Sequence, residues 1–115
     1  MFNFQKELSD KINDKRRAAA ENQVYKMHEA IKADIAMRRQ VIENWDGIGF
    51  CPVLNPLCYK YEVCSGRLTV RYFATEEANE LYKTESVDSS FMEAALEKAG
   101  WVKWTDDGKL CWRMD

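Results

Sequence analysis

Tyr59-Lys60-Tyr61-Glu62-Val63-Cys64-Ser65-Gly66-Arg67-Leu68-Thr69-Val70-Arg71-Tyr72 is the stretch that decides the fold. Large apolar or aromatic residues alternate with polar ones on both sides of Ser65-Gly66, a dipeptide suited to a two-residue reversal. Such a turn sets Val63 opposite Leu68, Tyr61 opposite Val70 and Tyr59 opposite Tyr72, so that all six share one face of a hairpin. The other face is polar and mostly basic, with Lys60, Arg67 and Arg71 beside Thr69. One face belongs to a core and the other to water.

Upstream, from about Phe4 to Asn44, there is neither Gly nor Pro, and helix formers dominate, with acids and bases three or four apart. Val24, Met27, Ile31, Ile35, Ile42 and Trp45 recur at helical spacing and draw one apolar stripe. Leu8, Ile12 and Ala19 draw a second, rotated by roughly 100° if the helix is continuous. Two arrangements satisfy this pattern. The helix either breaks near Asn13 to Asn22 and folds back as a hairpin, or runs unbroken for about 60 Å, more than a domain of this size covers. An unbroken rod calls for a companion, either a second copy or another protein.

Gly47, Gly49, Pro52 and Pro56 make residues 46–56 a connector. Beyond the central hairpin, Thr75 followed by Glu76-Glu77 predicts a short helix to about Lys83. Asp88-Ser89-Ser90 opens another through Phe91, Met92, Ala95, Leu96 and Ala99, closed by Gly100. Trp101-Val102-Lys103-Trp104 and Leu110-Cys111-Trp112-Arg113 then form a second hairpin across Asp106-Asp107-Gly108, with Val102, Trp104, Leu110 and Trp112 as one face. The expected class is α+β: a long N-terminal helix or helical hairpin, a β-hairpin, one or two short helices and a C-terminal β-hairpin in a small antiparallel sheet. It is read as a single domain over 1–115, with a helical arm at 1–45, a connector at 46–56 and an α+β body at 57–115.

From Thr75 onward the order of helix, helix and hairpin resembles the back half of a winged helix-turn-helix, over about a third of the chain. That resemblance implies a groove-reading helix after Ser90, where such proteins present Arg, Lys, Asn or Gln. Here the helix offers Glu93, Glu97 and Lys98, and acids there repel phosphates. The likeness is one of shape, and no DNA contact is carried onto these positions.

With 46% hydrophobic and 31% charged residues among 115, the chain can build a core and has no apolar run near the roughly 20 residues of a bilayer helix. Met1-Phe2-Asn3-Phe4-Gln5-Lys6-Glu7 lacks the basic-then-apolar pattern of a secretory leader, so a cytoplasmic protein is expected. In that setting Cys51, Cys58, Cys64 and Cys111 are expected to be reduced thiols packed as small hydrophobes.

The usual chemistries are missing. The one histidine, His28, reads as a solvated helix flank, and no nucleophile has an evident base. There is no Cys-x-x-Cys pair for zinc, and Gly47-Ile48-Gly49 is too sparse for a phosphate loop. No catalytic residue, metal or cofactor is expected, and the chain is read as a non-enzyme.

The expected role is to bind another protein, host or self, as a small inhibitor or regulator of the kind phages use against bacterial defence systems, including anti-CRISPR-like proteins. The candidate partner-binding residues are Trp101, Trp104 and Trp112 in the C-terminal hairpin, where tryptophan suits a binding hot spot, together with a possible homodimer through the N-terminal helix. Trp101 and Trp104, three apart, point to opposite faces of a regular strand. The alternative is a DNA- or RNA-binding regulator that uses Lys60, Arg67 and Arg71. A third is an enzyme with an unrecognised site. No membrane partner is expected.

Overall fold

A computed structural model describes residues 4–49, 59–72, 78–84 and 89–114. The absence of helix breakers in the first forty residues has its direct consequence in α1, one unbroken helix over Phe4–Glu43. The helical-hairpin alternative is therefore set aside. At 1.5 Å per residue α1 spans about 60 Å, and it stretches the molecule to 76 × 31 × 21 Å. The radius of gyration is 18.3 Å, against about 13 Å for a compact chain of this length.

The central hairpin forms as its alternation dictates. Strands β1 (Tyr59–Cys64) and β2 (Arg67–Tyr72) pair in the register Tyr59↔Tyr72, Tyr61↔Val70 and Val63↔Leu68. Ser65 and Gly66 both lie at positive φ, 52° and 74°, the mirror-image turn whose twist matches that of the flanking strands. Gly66 is required on a second ground, because a Cβ there would stand 2.6 Å from Thr84 Oγ1. Thr84 closes on the turn by donating its backbone N–H and its hydroxyl to the Gly66 carbonyl, at 2.8 and 3.0 Å.

The helix expected from Thr75 to Lys83 does not form over residues 78–83. Residues 73–77 lie outside the described residues, and Ala78–Lys83 is strand β3, paired with β2. Edge pairing wins over the helix-favouring composition of Ala78, Glu80, Leu81 and Lys83, because β2 would otherwise present an unpaired row of N–H and C=O groups. The ladder shifts between Leu68 and Thr69, pairing them with Tyr82 and Glu80, so that Leu81 is the extra residue of a bulge. The helix–helix–hairpin order behind the winged-helix likeness is thereby lost.

Helix α2 (Ser89–Lys98) ends as its glycine predicts: Gly100 takes a φ of 94°, its N–H reaches Glu97 O and that of Trp101 reaches Leu96 O, both at 3.0 Å. Strands β4 (Val102–Asp106) and β5 (Lys109–Arg113) complete an antiparallel sheet of order β3-β2-β1-β5-β4. Their turn holds two residues, Asp107 and Gly108, at φ 46° and 81°. A two-residue turn pairs Trp104 with Cys111 and Lys103 with Trp112. Trp104 therefore shares a face with Cys111, not with Leu110 and Trp112; placing Asp106 in the turn shifts the register by one residue and reverses the side.

The core lies between the sheet and the second half of α1. Ala20, Val24, Met27 and Ile31 pack with Val63, Leu68 and Trp112, and α2 closes one flank with Met92, Ala95 and Leu96. The stripe foreseen to reach Trp45 stops earlier: Ile35 and Ile42 are half-buried and Trp45 is exposed. No helix among the described residues is long and apolar enough to cross a membrane.

Candidate interaction surface

Helix α1 presents three faces, which follow from placing its residues at about 100° intervals. The first, toward the sheet, carries Ala20, Val24, Met27, Ile31, Asp34 and Arg38, all buried or half-buried. The second, an arc of about 100°, holds Glu7, Asp10, Asp14, Glu21, Glu29 and Glu43, which are every acid of the helix except Asp34. The third is an arc of about 60° that collects Leu8, Ile12, Lys15, Ala19, Lys26, Ala30, Ala33 and Met37. Of that set only Ala30 is half-buried, and the rest are exposed.

Between residues 5 and 19 all three faces are open, and only Asn13 there is even half-buried. Leu8 and Ile12 are 44% and 49% exposed. The projecting part of α1 thus carries two branched apolar side chains that no other described element packs against.

The sheet-facing side is fixed by polar contacts which the spacing of apolar residues does not reveal. Asp34, 7% exposed, takes hydrogen bonds on Oδ2 from Arg38 Nε and from the Tyr61 hydroxyl, both at 2.8 Å. Arg38 also lies over the Tyr59 ring, 3.9 Å from its centroid. Burial pushes the Tyr61 phenol well above its ordinary range, and the hydrogen bond to the Asp34 carboxylate pushes it further. For Arg38 burial acts downward, yet the hydrogen bond and charge of Asp34 prevail and hold it above its usual value. Gln23 accepts from the Tyr82 hydroxyl. The signal available in the sequence was a carboxylate three residues past Ile31 with Arg38 at i+4, a polar pair in step with an apolar stripe.

His28 is likewise no solvated flank. Its Nε2 accepts from Trp101 Nε1 at 2.9 Å and the rings stack, with centroids 5.9 Å apart and planes 14° from parallel. That bond requires the proton of the neutral ring to sit on Nδ1.

The proposed binding residues separate into three groups. Trp101 and Trp112 are core residues, 3% and 6% exposed. Trp104 is half-buried on the opposite face of the sheet, with a buried indole N–H that has no partner among the described residues. Lys60, Arg67 and Arg71 do project from the polar face of the hairpin, but two of them meet carboxylates. Arg71 pairs with Glu62 at 2.9 Å and Arg67 with Glu80 at 3.6 Å. The basic strip read from the hairpin alone is interleaved with acids once β3 is added.

Two cysteines on that polar face depart from the expectation of reduced thiols. Cys64 and Cys111 are directly paired across β1 and β5, their Cα atoms 4.5 Å apart, and are joined in a disulfide. Adjacent strands bring non-hydrogen-bonded partners to about this distance, which falls within the range a disulfide spans. Because the two residues are 47 apart in sequence, spacing alone could not reveal the pairing. Cys51 and Cys58 lie outside the described residues.

A cavity of about 520 Å³ opens between α2 and the ends of β1 and β5, floored by Met92, Leu96, Leu110 and Trp112. Among the described residues no three His, Cys, Asp or Glu side chains converge as metal ligands would. Comparison with protein-family models, with curated proteins and with solved structures finds no match to the chain.

Proposed function

We propose that this chain is a non-enzymatic binding protein, a small inhibitor or regulator, whose partner is another protein held by the projecting part of α1. The observation that carries this reading is the exposure of Leu8 and Ile12 on a helix that continues well past its own core. An isolated helix of this length is marginal in water, and helices in proteins draw most of their stability from packing an apolar face. A stretch with no such packing gains from a surface supplied by another molecule.

Two features favour a protein over a nucleic acid. Leu8 and Ile12 have nothing to gain from phosphates, and the pairing of Arg67 and Arg71 with Glu80 and Glu62 weakens the positive field of the sheet face.

Placing a photo-cross-linking amino acid at Ile12, and separately at Thr105 on the far edge strand, tests the reading in producing cells. The expected result is a discrete protein adduct from position 12 and none from position 105. An adduct of twice the chain's mass identifies a second copy, and any other mass a different protein. Adducts from neither position, from position 105 alone, or to nucleic acid overturn the proposal.

A further inference from the structure

The third face of α1 extends beyond the projecting part. Leu8 and Met37, 29 residues apart, fall within about 20° of each other on the helix and so lie on one straight line about 44 Å long. Both are exposed, at 44% and 49%. Between them the stripe has a distinct chemistry, small side chains alternating with the cations Lys15 and Lys26. Neither lysine has an ion pair among the described residues. On the other faces Arg17 pairs with Asp14 at 3.3 Å, Lys32 with Glu29 at 3.4 Å and Arg38 with Asp34. The exposed acids of α1 all lie on the second face, roughly a third of a turn away.

From this segregation of charge we infer that the stripe is a docking line for an acidic amphipathic helix of a partner protein. This rests on the protein-binding reading above and names the face and the chemistry of the occupant. The apolar ends meet apolar residues of the incoming helix, and its carboxylates meet Lys15 and Lys26. Alanines in the middle of the line let the two axes approach to about 8 Å. A second copy fits poorly: a two-fold seam along this line gathers four cations and brings no acid to them, a repulsion that like charges in contact exact at any interface. A lipid surface fits poorly as well, since the middle of the line is alanine and not the bulky apolar set that buries area in a membrane.

The probe is a synthetic amphipathic peptide of about 28 residues, long enough to cover the line, with leucine along one stripe and glutamate flanking it. Its twin has lysine in place of glutamate. Fluorescence anisotropy of each labelled peptide is measured with the full chain. The glutamate peptide is expected to bind on the order of tenfold more tightly than its twin at low salt, with the margin shrinking as salt rises. The double variant Lys15→Glu/Lys26→Glu, at exposed positions that leave the core alone, is expected to reverse the preference.

Binding of neither peptide, equal binding of both, or a preference that survives charge reversal overturns the inference. So does a homodimer that Leu8→Asp dissolves, or retention on anionic vesicles or duplex DNA that depends on Lys15 and Lys26. The two proposals fail separately. If the adduct from position 12 forms undiminished in the charge-reversed variant, the stripe assignment falls and the protein partner stands; if no adduct forms in any variant, both fall.

Discussion

The two halves of α1 are equally helical and differ greatly in surroundings. Residues 20–38 lie on a sheet, with Val24, Met27 and Ile31 in the core and with Gln23, His28 and Asp34 each bonded to an aromatic side chain from another element. Residues 5–19 are exposed, apart from half-buried Asn13, and lie on no other described element. The difference shows that helix formation and helix coverage are separate properties of a sequence. Continuity comes from the lack of Gly and Pro and from good helix formers, and it runs through both halves alike. Coverage depends on what the rest of the chain brings, and the sheet plus α2 reaches only one of them.

The largest expected contrast between the halves is in stability. Met27 has no exposed surface, so Met27→Ala leaves a cavity and is expected to cost about 3 kcal/mol. Leu8→Ala, a truncation of similar size on the same helix, is expected to stay within about 0.5 kcal/mol, as exposed substitutions do. Urea unfolding of the two variants measures both. Similar losses would mean that the projecting half packs on its own chain in solution, and the comparison would break.

How much of this was legible in the sequence depends on whether the determining contacts are local. The Tyr59–Tyr72 hairpin was readable with its register, because alternation and a two-residue turn sit within 14 residues of one another. The continuous helix was readable as one of two options. Strand β3 was not, since Glu80, Leu81 and Lys83 prefer helix and become strand only because β2 has an open edge. The face of Trp104 turned on whether Asp106 belongs to the strand or to the turn, a difference of one residue that the sequence leaves open and the backbone settles at Asp107-Gly108. The polar partners of α1 were hidden for the same reason as the disulfide, because they join residues far apart in the chain. Trp101, set down beforehand as a binding residue, turns out to serve the core, since the C-terminal stop of α2 points it back at His28.

That last contact sharpens the comparison at an intermediate scale. Trp101→Phe keeps most of the buried ring and removes the N–H donated to His28 Nε2. The expected loss is about 1 kcal/mol, the net worth of one hydrogen bond. Pairing it with His28→Phe tests the assignment: when both polar partners are gone the loss should be smaller than the sum of the two single changes. Additive losses would mean the bond contributes nothing to seating α1.

The smallest effect is confined to alkaline solution and concerns Tyr61. Its hydroxyl is held in the neutral form by burial first, and then by donation to Asp34 in the network that seats the covered half of α1. A phenol with a raised folded-state pKa stabilises the fold fully below the unfolded value of about 10. As pH climbs past that point the unfolded chain releases the proton while the folded chain retains it, so stability declines until the folded pKa is passed. Unfolding midpoints measured from pH 8 upward should therefore be flat to about 10 and then fall, and Tyr61→Phe should flatten that fall while lowering the plateau. An alkaline limb left unchanged by Tyr61→Phe would show that the titrating phenol is not the one buried against Asp34.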